Sequence, residues 1–205
     1  GNAQTTLTGS PQQTVVTIPS TDTSAPTVVS IAFTSSAGSD NTYITNDVVS
    51  LTVIFSEPVT VVGTPVLPLA GLTSKNATFA SGSGTSSLVF SYTVESGDTD
   101  SDGLAITANT LAQSGGSTIK DASNNNATLT HAAITAQSAH TVDTTGPTAP
   151  TIDATADDTY GEGEVVEISA TFNEPMAVTG TPTLEVQVTV SGTTTYRNAQ
   201  YSYAS

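Results

Sequence analysis

Asn41 to Leu67 reads NTYITNDVVSLTVIFSEPVTVVGTPVL, and Asp158 to Leu184 reads DTYGEGEVVEISATFNEPMAVTGTPTL. The two stretches align without a gap. They share a Thr-Tyr pair, a Val-Val pair, a Phe-x-Glu-Pro turn (Phe55, Glu57, Pro58; Phe172, Glu174, Pro175) and Gly-Thr-Pro (63–65; 180–182). In the first copy Val49, Leu51, Val53 and Phe55 alternate with Ser50 and Thr52. That is a period of two, the pattern of a strand with one buried face. The second copy repeats it, with Val166, Ile168, Ala170 and Phe172 on one face and Glu167, Ser169 and Thr171 on the other. Leu88, Phe90, Tyr92 and Val94 predict a further strand. Clusters of Ser, Thr, Gly and Asn separate such runs at roughly 8–12-residue spacing, which predicts a sandwich or barrel. No stretch holds a period of 3.6 over three turns, so almost no helix is expected.

Self-similarity extends further. Thr17 to Thr27, TIPSTDTSAPT, matches Thr141 to Thr151, TVDTTGPTAPT, so that each Ala-Pro (25–26; 149–150) opens a new unit. Just upstream, Asn2-Ala3 and Leu7-Thr8 match Asn126-Ala127 and Leu129-Thr130 across a small gap. The expected organisation is the last strands of one repeat over 1–25, a complete repeat over 26–147 and the first half of a third over 148–205. At about 120 residues, each repeat has the size of an immunoglobulin-like β-sandwich. The joints at Thr21–Pro26 and Thr144–Pro150 are short and contain Pro, so they should be extended and stiff.

Composition narrows the function. The chain has 205 residues, with 3 Lys+Arg against 18 Asp+Glu and a net charge of −15. Three cations cannot neutralise a run of phosphates, which argues against nucleic-acid binding. No apolar run is long enough to span a membrane, and no signal peptide is expected in this stretch. With Cys absent there is no disulfide framework, thiolate metal site or thiol chemistry. His131 and His140 lie in strand-like segments away from any nucleophile motif and read as structural. The acids lie in loops beside Gly and Asn, where nothing apolar raises a pKa for glycosidase chemistry, so no enzyme is expected. The acidity itself has two readings: a surface kept soluble by self-repulsion, or a protein that takes divalent cations among clustered carboxylates.

The motifs F-S-E-P-V, G-T-P-x-L, S-G-S-G-T, F-S-Y-T-V-x-x-G-D, I-K-D-A, N-A-T-L-T and V-D-T-T-x-P follow one another from Phe55, Gly63, Ser81, Phe90, Ile119, Asn126 and Val142. In this order they resemble the tandem immunoglobulin-like repeats of giant bacterial surface adhesins and haemagglutinin-like proteins, over essentially the whole chain. The resemblance implies β-sandwich extender modules, secreted and displayed on the bacterial cell surface, stiffened by calcium. Ser123-Asn124-Asn125-Asn126 stands where some members carry Gly-Asn after I-K-D-A. The third repeat stops where its S-G-S-G-T segment would begin. Two explanations stand: a cut from a longer protein, or completion of the open unit by the N-terminal strand of another copy, giving a head-to-tail fibre.

Three groups of acids are candidate calcium ligands. The first is Glu95-Ser-Gly-Asp98-Thr-Asp100-Ser-Asp102-Gly103. Alternating Asp before Gly is how a calcium loop begins, although Asn109 occupies the twelfth position where an EF-hand needs Glu. The plain alternative is a solvated acidic turn. The second comprises Glu57 and Glu174, each between an inward Phe and a Pro. Either Glu57 folds over to share a cation with the Asp98–Asp102 loop, with Asp121 joining at the same end, or both are simple turn residues. The third lies near the second joint: Asp143, Asp153, Asp157 and Asp158. These either bridge units through calcium or act as plain turn-formers. The expected function is a calcium-rigidified extender or fibre segment of an extracellular adhesin or matrix protein, whose partners are adjacent repeats or other copies of itself. The rival is a calcium-dependent, lectin-like module for a surface glycan.

Overall fold

The computed structural model describes residues 22–154 and 160–202. Most of the 1–25 segment therefore lies outside the described residues. The chain divides into two compact units, Gly1–Thr144 and Thr145–Ser205. All regular structure among the described residues is β, and no helix there is long and apolar enough to cross a membrane.

In the first unit, β1 (Val28–Phe33), β3 (Val48–Val62), β6 (Thr85–Thr93), β5 (Asn76–Ser81) and β4 (Val66–Pro68) form an antiparallel sheet in that order, with β8 (Thr118–Lys120) attached to β3. A second sheet holds β2 (Thr42–Tyr43), β9 (Thr141–Asp143) and β7 (Thr99–Asp100), with β2 and β9 parallel. The expected alternation is realised. Val49, Leu51, Val53 and Phe55 are buried, and on β6 Leu88 and Phe90 lie opposite Val53 and Leu51. Tyr92 is only half-buried because its hydroxyl reaches a carboxylate at the rim. Tyr43, Leu67, Leu104, Ile106 and Ile119 are among the other buried core residues.

The Phe-x-Glu-Pro motif is a bend within a strand. β3 pairs with β6 up to Ile54, shifts register before Val59, and then pairs with β8 from Thr60 to Val62. Pro58 has no N–H to give a ladder, so it sits where the ladder breaks. One long strand thus bulges against β6, pairs with it again at Val59, and joins β8 from Thr60, with Glu57 in the bulge.

The second unit contains β10 (Thr151–Ala154) paired with β11 (Ile168–Thr171), and β12 (Thr183–Val190) paired with β13 (Thr193–Gln200). The strand expected over 165–172 is shorter, and its inward set is not covered: Val166 and Phe172 are exposed. Val53 and Leu51 of the first unit are buried because they belong to a core that also holds Tyr43, Leu104, Ile106 and Val142. β11 pairs only with β10 among the described residues.

The strand registers revise the sequence match at the joints. Ser30 faces Ile54 in the first unit, and Thr151 faces Thr171 in the second. Thr171 matches Ile54 in the gapless alignment, so Thr151 matches Ser30 and Thr148 matches Thr27. Hydrogen bonds agree. Thr27 donates its N–H to Ser56 Oγ (3.0 Å), and Thr148 donates its N–H to Asn173 Oδ1 (2.8 Å), with Ser56 and Asn173 at matched positions. The joints therefore align as Asp22-Thr-Ser-Ala-Pro-Thr27 on Asp143-Thr-Thr-Gly-Pro-Thr148, three residues away from the Ala-Pro match.

Candidate functional site

Asp22, Glu57 and Asp121 each place a carboxylate oxygen within 4.8 Å of the others. Three separate elements bring them together. Glu57 comes from the bend in β3. Asp121 follows β8, which runs antiparallel to the second half of β3 with Lys120 opposite Thr60. Asp22 comes from the incoming linker, which is fastened on both sides. Ser56 N–H donates to Thr27 O (2.9 Å), and Thr128 N–H donates to Pro26 O (2.7 Å).

Asn125 ties the loop after β8 to that linker. Its N–H donates to Asp121 Oδ1 at 2.7 Å. Its side-chain amide nitrogen lies 2.6 Å from Asp121 Oδ2, 3.0 Å from Asp22 O and 3.2 Å from Ser24 O. An amide NH2 has two hydrogens, so three oxygens around it are one more than it can serve. Asn125 thus joins the Asp121 carboxylate to the Asp22 and Ser24 carbonyls of the linker.

The electrostatics match the crowding of the three carboxylates. Burial and then the charges of Asp22 and Asp121 push the Glu57 carboxyl above its ordinary value. Burial also works to raise Asp121, but the Asn125 side chain and the backbone N–H groups of residues 123–125 outweigh it and hold Asp121 low. Neither Lys of this unit is bonded to the group: Lys75 pairs with Glu95 and Asp98, and Lys120 donates to Asn124 Oδ1. The donor set suits a hard divalent cation, which takes six to eight oxygens from carboxylates, carbonyls and side-chain amides. Asp22, Glu57 and Asp121 would hold it.

The Asp98–Asp102 loop is arranged differently. Asp98 is buried and accepts the Tyr92 hydroxyl (2.5 Å) and the Glu95 N–H (2.9 Å), with Lys75 Nζ at 3.5 Å. Glu95 is exposed and pairs with the same lysine at 2.5 Å. Asp100 Oδ1 accepts the N–H groups of Asp102 (3.2 Å) and Gly103 (3.0 Å). Its Oδ2 is buried without a hydrogen-bond partner, against Gly71, where a Cβ would lie 1.8 Å away. Burial and then neighbouring Asp102 raise the Asp100 carboxyl. These acids therefore answer a lysine, a tyrosine and backbone amides. Among the described residues, the acid triad of Asp22, Glu57 and Asp121 is the one gathered group, and the loop does not share Glu57.

The other candidates are spread out. Asp143 ends β9 opposite Thr99, and Asp153 is exposed on β10 opposite Ser169. Glu174 is half-buried with Oε1 lacking a hydrogen-bond partner. Asp157 and Asp158 lie outside the described residues. His131 Nε2 accepts the N–H groups of Thr110 and Leu111, a structural use.

Asp22 was not anticipated as a ligand, nor Asn125 as the residue that ties Asp121 to the linker. A signal for Asp22 existed: the Asp-Thr-x-x-Pro-Thr string that recurs at 143–148 was hidden by the competing Ala-Pro match. Comparisons of the chain with protein-family models, with curated proteins and with solved structures gave no match.

Proposed function

We propose that this chain is a segment of tandem immunoglobulin-like β-sandwich repeats that acts as a calcium-rigidified extender of an extracellular bacterial adhesin or matrix protein. The observation that carries the reading is the place of Asp22. A linker carboxylate converges on two carboxylates of the unit it leads into, so a cation there would fix the angle at which the chain enters the unit. Without a cation the three charges oppose that geometry.

Three further observations support the repeat reading. The strand registers of the two units coincide from Ser30/Thr151 onward. Asp143 and Glu174 occupy the sequence places of Asp22 and Glu57. The second unit exposes Val166 and Leu184, which match the buried Val49 and Leu67. Its completing strands are then of the same kind, from the same protein or another copy.

Titration calorimetry of the full chain with calcium tests this reading. Binding with Asp22→Asn weakening it supports the reading. Absence of binding at millimolar calcium, or unchanged affinity in Asp22→Asn, rejects it.

A further inference from the structure

The pair β2–β9 has only two residues on each side, yet it is laced by side chains far beyond its length. Thr141 donates both its N–H (3.0 Å) and its hydroxyl (2.8 Å) to Asn41 O. The Thr42 and Thr141 hydroxyls meet at 2.9 Å. The Tyr43 hydroxyl lies 2.9 Å from His140 Nδ1 and 2.6 Å from Ser35 Oγ, and the His140 ring stacks on Phe33 at 4.8 Å. On its other flank β9 pairs with β7, and the Thr144 hydroxyl bridges Asp98 O (2.8 Å) and Gly97 N–H (2.9 Å).

The topology gives this lacing a direction. The chain enters the first unit through β1 and then β2, and leaves it through β9. β2 and β9 are parallel, so the start of β2 and the end of β9 lie at opposite ends of the pair. Tension between the incoming and outgoing chain therefore acts along the strands. That direction loads the cross-links between the two strands in shear, in parallel rather than in sequence. β1 lies earlier in the force path, held to β3 from Val28 to Phe33, so its release leaves the β2–β9 pair to carry the tension.

We propose that the β2–β9 pair, with Thr42, Thr141, Tyr43 and His140, is a mechanical clamp that resists stretching of the first unit. Its biological sense rests on the extender reading, whereas the clamp itself is a property of this unit and needs no metal.

Single-molecule pulling in chelator tests it, independently of calcium binding. The chain has no Cys, so two introduced cysteines define the force axis in the full-length protein. Ser39→Cys with Gly146→Cys loads the pair in shear. Ile44→Cys with Gly146→Cys loads both strands from the same end and unzips it. The expected result is a rupture force severalfold higher in shear. Thr141→Val, which removes the hydroxyl bonds and keeps the N–H, should lower the shear force and leave the unzipping force unchanged. Thr85→Val removes hairpin bonds to Gly82 O and Ser87 O. It should lower thermal stability without lowering the shear force, because forced unfolding follows the barrier and not the equilibrium. Equal forces along the two axes, or an unchanged shear force in a folded Thr141→Val, would overturn the clamp. The two-axis comparison decides alone if Thr141→Val does not fold.

Discussion

Replacing Glu57 by Gln should have opposite effects with and without calcium. In the parent chain, calcium bound only by the folded state at about a hundredfold excess over its dissociation constant stabilises by about 2.7 kcal/mol. A unit of roughly 120 residues unfolds with about 0.25 kcal/mol/K of entropy, at about 2.1 cal/mol/K per residue, so its midpoint should rise by about 11 °C. Glu57→Gln removes a carboxylate from the ligand set and should remove most of that rise. In chelator the sign reverses. The Glu57 carboxyl is raised in the folded state, so the folded chain holds that proton more tightly than the unfolded chain does. Stability therefore falls as pH climbs above the ordinary value of 4.5, and the loss is complete once pH passes the raised value. Gln lacks that loss, so the variant should melt above the parent at neutral pH in chelator, and the gain should vanish below 4.5. Differential scanning calorimetry of both chains, in chelator and in millimolar calcium, reads all four midpoints. A parent midpoint unmoved by calcium, or a variant that melts below the parent in chelator, would refute the reasoning.

Tyr92→Phe should destabilise by about 1.5–3 kcal/mol in urea melts, since it removes a hydrogen bond to a buried charge. Burial alone would raise Asp98, but the Tyr92 hydroxyl, the Glu95 N–H and Lys75 outweigh it and hold the carboxyl low. The stability this gives is present above the ordinary value of 3.8 and lost as pH falls through the depressed one, and the variant should show a smaller acid-side loss. Gly71→Ala should cost about 3 kcal/mol or more, because Gly71 has φ +104° and its Cβ would overlap Asp100 Oδ2. Thermal melts check this, and a loss within error would mean the loop shifts freely. Asp100→Asn keeps the Oδ1 acceptor and removes a buried charge, so it should hold or raise the neutral-pH midpoint. The calcium-induced rise should be unchanged, and a smaller rise in this variant would place metal at the loop.

The alternation at 49–55 and 88–94 was legible because a strand with one buried face has a two-residue period whatever its neighbours are. The Phe-x-Glu-Pro repeat was legible as a unit marker but not as a bend, because a Pro after Glu fits a turn as well as a bulge. Only the ladder tells the two apart: β3 pairs with β6 on both sides of the shift, at Ile54 and again at Val59. The grouping of Glu57 with Asp121 was within reach, since both flank strands of one repeat. Asp22 was harder to reach, because the Asp-Thr-x-x-Pro-Thr string that marks it competes with the Ala-Pro match three residues away, and ladder registers decide between the two. The exposed face of β11 fits its reading as part of an open unit: a pattern shows which side chains would face a core, but not whether anything packs over them.

The two acid sets looked alike in the sequence, and the placement of the few cations separates them. Lys75 precedes Asn76-Ala77, and Ala77 lies opposite Leu67; Arg197 precedes Asn198-Ala199, and Ala199 lies opposite Leu184. Leu67 and Leu184 are matched positions, so two of the three basic residues of the chain stand at one place in the β pattern. In the first unit that place answers Glu95 and Asp98, two of the four carboxylates in the loop that most resembled a calcium site. A chain of charge −15 that sets its scarce cations there leaves the Asp22 group without one. On the reading proposed above, a metal ion would act at that group rather than at the loop.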